Sequence, residues 1–168
     1  MTESEPESAE WRNPKRGESI VGAVSVGVVF ILFASVYILA LPDNLWDSVV
    51  AFFTDLSMRQ VPGTGIYLPA PMNPAEHTVL YGAAYQFCLG LILLQAVVLL
   101  IRLFWNSPVR KKAETVGDIV FWLGSALLVA TFLNENTTIS TWFAYWACIL
   151  IVIGTSLAVR AIVLLIKK

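Results

Sequence analysis

The stretch Arg102-Leu103-Phe104-Trp105-Asn106-Ser107-Pro108-Val109-Arg110-Lys111-Lys112 decides how the chain is laid out. It places four basic residues in a short turn between two long apolar runs. Lys and Arg close to the ends of apolar spans stay on the cytoplasmic side of a membrane. Working outward, apolar runs cover about 20–41, 78–104, 116–133 and 142–166. Arg12, Lys15 and Arg16 precede the first run, and Arg160, Lys167 and Lys168 close the last. Four spans with both termini cytoplasmic keep ten of the eleven cations inside and leave only Arg59 outside. The expected fold is all-α and integral to the cell membrane. It is a four-transmembrane-helix bundle with an extracytoplasmic amphipathic helix and a proline-rich loop.

Composition agrees with that layout. The chain is 57% hydrophobic and 14% charged, too few charges to cover a soluble domain of 168 residues. Its formal net charge of −1 leaves no basic surface beyond the cytoplasmic clusters, so no nucleic-acid partner is expected. The lipid bilayer is the first partner, with the clusters touching anionic headgroups. The first run is longer than the 7–15 apolar residues of a cleaved signal, and no A-x-A site follows it. It reads as a retained anchor. Residues 1–17 are polar, with Glu3, Glu5, Glu7 and Glu10 before the cations, and read as a disordered cytoplasmic tail. The membrane domain is then 18–168.

The outer loop, 42–77, is the unusual part. Trp46, Val49, Val50, Phe53 and Leu56 recur at helical spacing, with Asp47, Thr54 and Asp55 mainly opposite. That pattern predicts an amphipathic helix of about four turns lying in the membrane interface. Residues 61–75 carry no charge and hold Pro62, Pro69, Pro71 and Pro74. Proline at this density is expected to forbid regular helix or sheet. The same segment is apolar, so it is expected to pack as a cap over the span ends, the alternatives being a re-entrant loop or a surface for an extracytoplasmic partner. Asn73-Pro74-Ala75-Glu76 reads as a helix start with Asn73 as cap, and Ser107-Pro108 repeats the pattern. Trp46, Trp142 and Trp146 fall near the outer boundary and Trp105 near the inner one, as an aromatic belt would.

Few residues offer chemistry. His77 is the single histidine; with Glu76 and Glu135 it forms a candidate outer polar cluster, and a pH-sensitive contact to Glu135 is one option. One imidazole does not make a metal site, so no metal or other cofactor is expected. Cys88 and Cys148 lie inside spans and read as small buried hydrophobes. Asp118, Arg160 and Arg102 approach the hydrocarbon from the cytoplasmic side. Asp118 is expected to pair with Arg160 or Arg102, the alternative being that each is hydrated separately. Gln86 and Gln95 are the strong hydrogen-bonding groups deep in the second span and read as interhelical glue. Asn136-Thr137-Thr138 is a glycosylation sequon on the outer side, with Asn136 as acceptor.

Three stretches carry a resemblance: Thr64-Gly65-Ile66-Tyr67-Leu68-Pro69-Ala70-Pro71, Arg110-Lys111-Lys112-Ala113-Glu114-Thr115, and Thr131-Phe132-Leu133-Asn134-Glu135. They resemble small archaeal multi-span membrane proteins of uncharacterised function. The resemblance implies membrane location and an archaeal source, and brings no catalytic residue with it.

The functional expectation is a non-enzymatic scaffold or accessory subunit of a membrane assembly. It would meet a protein partner or a second copy through its outer loop and helix faces. One alternative is a small oligomeric channel or transporter with a polar stripe such as Gln95, Thr131, Thr155 and Ser156. Another is a membrane enzyme working through Glu76, His77 and Glu135.

Overall fold

A computed structural model describes residues 14–105 and 107–166, with every side chain among them except those of 14–18 and 42. Among the described residues the elements run α1 (Pro14–Leu39), α2 (Leu45–Asp55), β1 (Leu56–Gln60), β2 (Tyr67–Pro71), α3 (Thr78–Phe104), α4 (Val109–Phe132) and α5 (Ile139–Ile166). Short 3-10 turns, Leu41–Asp43 and Pro74–His77, lead into α2 and α3. Four of the helical segments, Ser19–Leu39, Pro74–Phe104, Val109–Phe132 and Ile139–Ile166, are long and apolar enough to cross a membrane. Even the shortest full helix, α4, measures about 36 Å at 1.5 Å per residue, against about 30 Å of hydrocarbon.

The tail expected over 1–17 lies outside the described residues as far as 13, and its last four belong to α1 instead. Pro14 is the reason: its fixed φ suits the first helical position, and its missing N–H is one the helix does not use there. The long helices pack in chain order, α1 on α3, α3 on α4 and α4 on α5. Phe33 meets Phe87 at 6.3 Å between α1 and α3, and Phe87 meets Trp122 at 6.5 Å between α3 and α4. One end of this array carries Arg102, Lys111 and Arg160; the other carries α2 and the strands.

The loop corrects two expectations. Its proline-rich part is a regular antiparallel hairpin, with Leu56 opposite Pro71, Met58 opposite Pro69 and Gln60 opposite Tyr67. The parity of the prolines explains how. Met72 N–H bonds to the Asp55 carbonyl and Val61 N–H to the Ile66 carbonyl, which extends the same register at both ends. Hydrogen-bonded pairs alternate with non-bonded ones in an antiparallel ladder. Pro69 and Pro71 both fall on non-bonded positions, where a strand with one neighbour needs no N–H. Pro62 and Gly63 make the turn: Thr64 N–H bonds to the Val61 carbonyl, and Gly63 takes φ +75°, a value glycine adopts without cost.

The second correction concerns α2. It has 11 residues, about three turns rather than four, and Leu56 belongs to β1. Its inward side is Leu45, Ser48, Val49, Phe52 and Asp55, all half-buried. Trp46, Val50 and Phe53 point away from the protein, at 65%, 45% and 65% exposure. The apolar stripe is real, but it is turned outward because Asp55 is held from inside.

Candidate functional site

The most constructed region is the hairpin end of the array. Ala70 of β2 is fully buried in one cluster with Tyr81 of α3, Val129 of α4, Leu133 just after it and Trp142 of α5, and the strand packs directly on α5. Phe52 joins from α2, 5.8 Å from Trp142 and 5.1 Å from the His77 ring. Tyr81 stacks at 6.4 Å on Trp142, which also meets Trp146 at 6.0 Å. An aromatic cluster therefore fastens the loop to the helix ends. Trp142 belongs to this core, at 5% exposure, rather than to a belt on the surface.

Asp55 ties the polar part together. Its Oδ2 accepts from Asn73 N–H at 2.9 Å and lies 3.0 Å from His77 Nε2. An ionised carboxylate only accepts, so Nε2 carries the proton in that bond. Met72 N–H donates to the Asp55 carbonyl at 3.0 Å. The Asn73 N–H, then the His77 contact, hold the Asp55 carboxyl below the ordinary carboxylate range despite some desolvation. Asn73 thus spends its backbone here and makes no side-chain cap; Pro74 opens the 3-10 turn on its own.

Among the three residues of the expected outer cluster, His77 is buried and turned to Asp55, and Glu76 is exposed. Glu135 lies on a cleft of about 460 Å³ between α3 and α4, with Thr78, Tyr81, Tyr85 and Leu133. Asn136 borders the same cleft and is exposed. The loop before α5 is shaped by Thr137, which is buried. Its hydroxyl accepts from Asn134 N–H and lies within bonding distance of the Phe132 and Asn134 carbonyls. Asp55 is the residue that sequence spacing missed as a partner for His77. The only signal was its place at the end of α2, where a carboxylate on the inward side has to find a donor.

At the basic end, Arg160 of α5 donates through Nη2 to Asp118 Oδ1 of α4. Gly117 makes room for this: a β-carbon there would lie 2.4 Å from Arg160 Cγ. Ser156 Oγ donates to the Gly117 carbonyl at 2.8 Å, one turn deeper on the same seam. Arg102 serves a different joint. Its Nη1 donates to the Lys111 carbonyl at 2.9 Å and to Thr115 Oγ1, fastening the end of α3 to the start of α4. Arg110 and Lys111 share Glu114, at 3.3 and 2.8 Å. Ser107 makes no cap; the Pro108 carbonyl accepts the Lys111 and Lys112 N–H groups at the start of α4.

The remaining polar candidates are dispersed. Cys88 and Cys148 are free thiols, the first buried and the second half-buried. Thr131 and Thr155 donate to their own helices, at the Leu127 and Ile151 carbonyls, whereas Ser156 is buried against α4. No protein-family model matches the chain, and no curated protein or solved structure is significantly similar to it. The archaeal resemblance therefore rests on its three stretches alone.

Proposed function

We propose that the chain is a four-span integral protein of the cell membrane with both termini cytoplasmic, acting without catalysis as a scaffold or accessory subunit. The observation that carries this reading is the hairpin cap. Asp55, Ala70 and the aromatic cluster hold it firmly at its base, while Met58, Ile66, Tyr67 and Leu68 toward its tip are 63%, 60%, 58% and 45% exposed. A protein that orders a largely apolar ribbon, with Arg59 as its one charge, and leaves its tip uncovered has built a contact surface. A protein partner at the extracytoplasmic face is the occupant this surface fits.

The membrane setting is supported by a different set of exposed side chains. Phe30, Ile31, Leu93, Leu150, Ile151 and Leu165 all exceed 60% exposure on the long helices, a surface that suits lipid and not water. The outward stripe of α2, Trp46, Val50 and Phe53, suits the interface beside them. The ionised pair near the hydrocarbon is neutralised within the protein, Asp118 by Arg160.

A photo-crosslinking residue at Tyr67 tests the reading in native membranes. The expected result is one discrete protein adduct that competes with purified protein. Lipid adducts alone, or selective ion or solute flux by the purified chain in liposomes, would overturn it in favour of the channel reading.

A further inference from the structure

The long helix α3 has three sides. One meets α1 through Phe87 and Gly90, where Leu32 occupies the space a β-carbon would need. A second carries Tyr81, Cys88, Leu91 and Val98, all buried, on a helix that packs against α4, where Tyr81 and Val129 share one cluster. The third is open: Gly82, Gln86, Leu89, Leu93 and Leu100 recur along it at helical spacing. Leu89, Leu93 and Leu100 are 40%, 69% and 54% exposed, and Gly82 has nothing within 4 Å of where a β-carbon would stand. Gln86 is exposed on this side and bonds to no described residue.

Its depth makes the amide notable. Phe87, the next residue, packs on Trp122 near the midpoint of Val109–Phe132. From Pro74 to Gln86 is twelve residues, about 18 Å of helix. The amide therefore lies in the middle of the span, on its lipid-facing side, too short to reach either boundary. A primary amide in hydrocarbon without a partner is strongly unfavourable, and transmembrane helices relieve it by bonding across an interface.

We infer that this face of α3 pairs with the same face of a second copy of this chain. A primary amide holds both a donor and an acceptor, so two copies about an axis along the membrane normal satisfy each other reciprocally. A second copy also brings its amide to the same depth automatically, which an unrelated helix would do only by coincidence. Gly82, one turn from Gln86, lets the backbones approach, and Leu89, Leu93 and Leu100 extend the seam. The inference rests on the membrane reading above but uses a surface separate from the hairpin.

Subunit counting by single-molecule photobleaching tests it, using the full-length labelled chain in phosphatidylcholine–phosphatidylglycerol vesicles over a range of protein densities. The expected wild-type result is two-step bleaching that gives way to one step on dilution. Gln86→Leu should weaken pairing by about tenfold, the scale of one or two interhelical amide bonds in lipid. Gln86→Asn should retain part of it. Gln95→Leu, on the α4 side, should pair as wild type does. A wild-type chain that is single at every density, or a Gln86→Leu chain that pairs as well as wild type, overturns the inference. Resistance to alkaline carbonate extraction, read in the same samples, separates this outcome from failure of the membrane reading itself.

Discussion

Asp55 and His77 stand 22 positions apart in the chain, and Asp55 Oδ2 lies 3.0 Å from His77 Nε2 at the junction of α2, the hairpin and α3. This contact and the Asn73 N–H on the same oxygen close the loop into a ring whose ends are fixed before the hairpin begins. The hairpin inherits its position from them.

Asp55→Asn should loosen the cap. The amide keeps one acceptor but loses the charge that both donors meet, a loss of roughly 1–2 kcal/mol. Hydrogen exchange of the backbone over 56–73 should accelerate while the middles of α3 and α4 stay protected. Unchanged exchange in the hairpin would mean that the aromatic cluster alone holds it.

The same carboxylate sets a pH dependence. Its folded-state pKa lies below the ordinary value, so its contribution is present above the unfolded pKa and disappears as pH falls through the folded one. The hairpin of the wild-type chain should therefore begin to loosen as pH falls below about 4. Tyr67 replaced by an environment-sensitive fluorophore would report this step, and Asp55→Asn should remove it.

Gly117→Ala should unseat Arg160 from Asp118, because the new methyl takes the place of the arginine stem. Overpacking of this kind costs about 1–3 kcal/mol. Asp118→Asn and Arg160→Gln should each destabilise the chain in detergent, and the double variant should lose less than the sum. Additive losses would reject the coupling.

The hairpin register makes a paired prediction. Pro69→Thr should be tolerated, since residue 69 faces away from β1 in the ladder. Leu68→Pro should cost about 1–3 kcal/mol, since residue 68 stands opposite Arg59 on a bonded position. Thermal unfolding of the purified variants checks both, and equal effects would mean the register is wrong.

Accessibility of engineered cysteines checks the sidedness proposed for the chain. Thr64→Cys and Lys111→Cys, each in a background lacking Cys88 and Cys148, should react with impermeant thiol reagents from opposite faces of intact cells. Reaction from one face would collapse the arrangement.

The long helices were legible because a run such as 142–166 has one outcome at that length and hydropathy, and because Pro74 and Pro108 mark starts that local sterics dictate; the start at Pro14 was not, since the polar residues around it read as tail. The face of α2 was not legible. Trp46, Val50 and Phe53 form an apolar stripe that fits a core or a bilayer equally well, and the choice is made by Asp55, whose partners come from 73 and 77. The hairpin was not legible from proline density, because whether a proline breaks a two-stranded ladder depends on the parity of its position. Pairing Asp118 with Arg160 over Arg102 depended on the helix order and on the space at Gly117, neither of which is written in local spacing.

Pro69 and Pro71 have one more effect. On the free side of β2 the prolines remove the N–H groups at 69 and 71 and leave only that of Tyr67 among the three outward positions, so that border is poorly suited to strand addition and to the edge-to-edge growth that seeds fibrils. Whatever grips that border of the ribbon has to do so by side-chain shape, which favours a discriminating contact over an indiscriminate one.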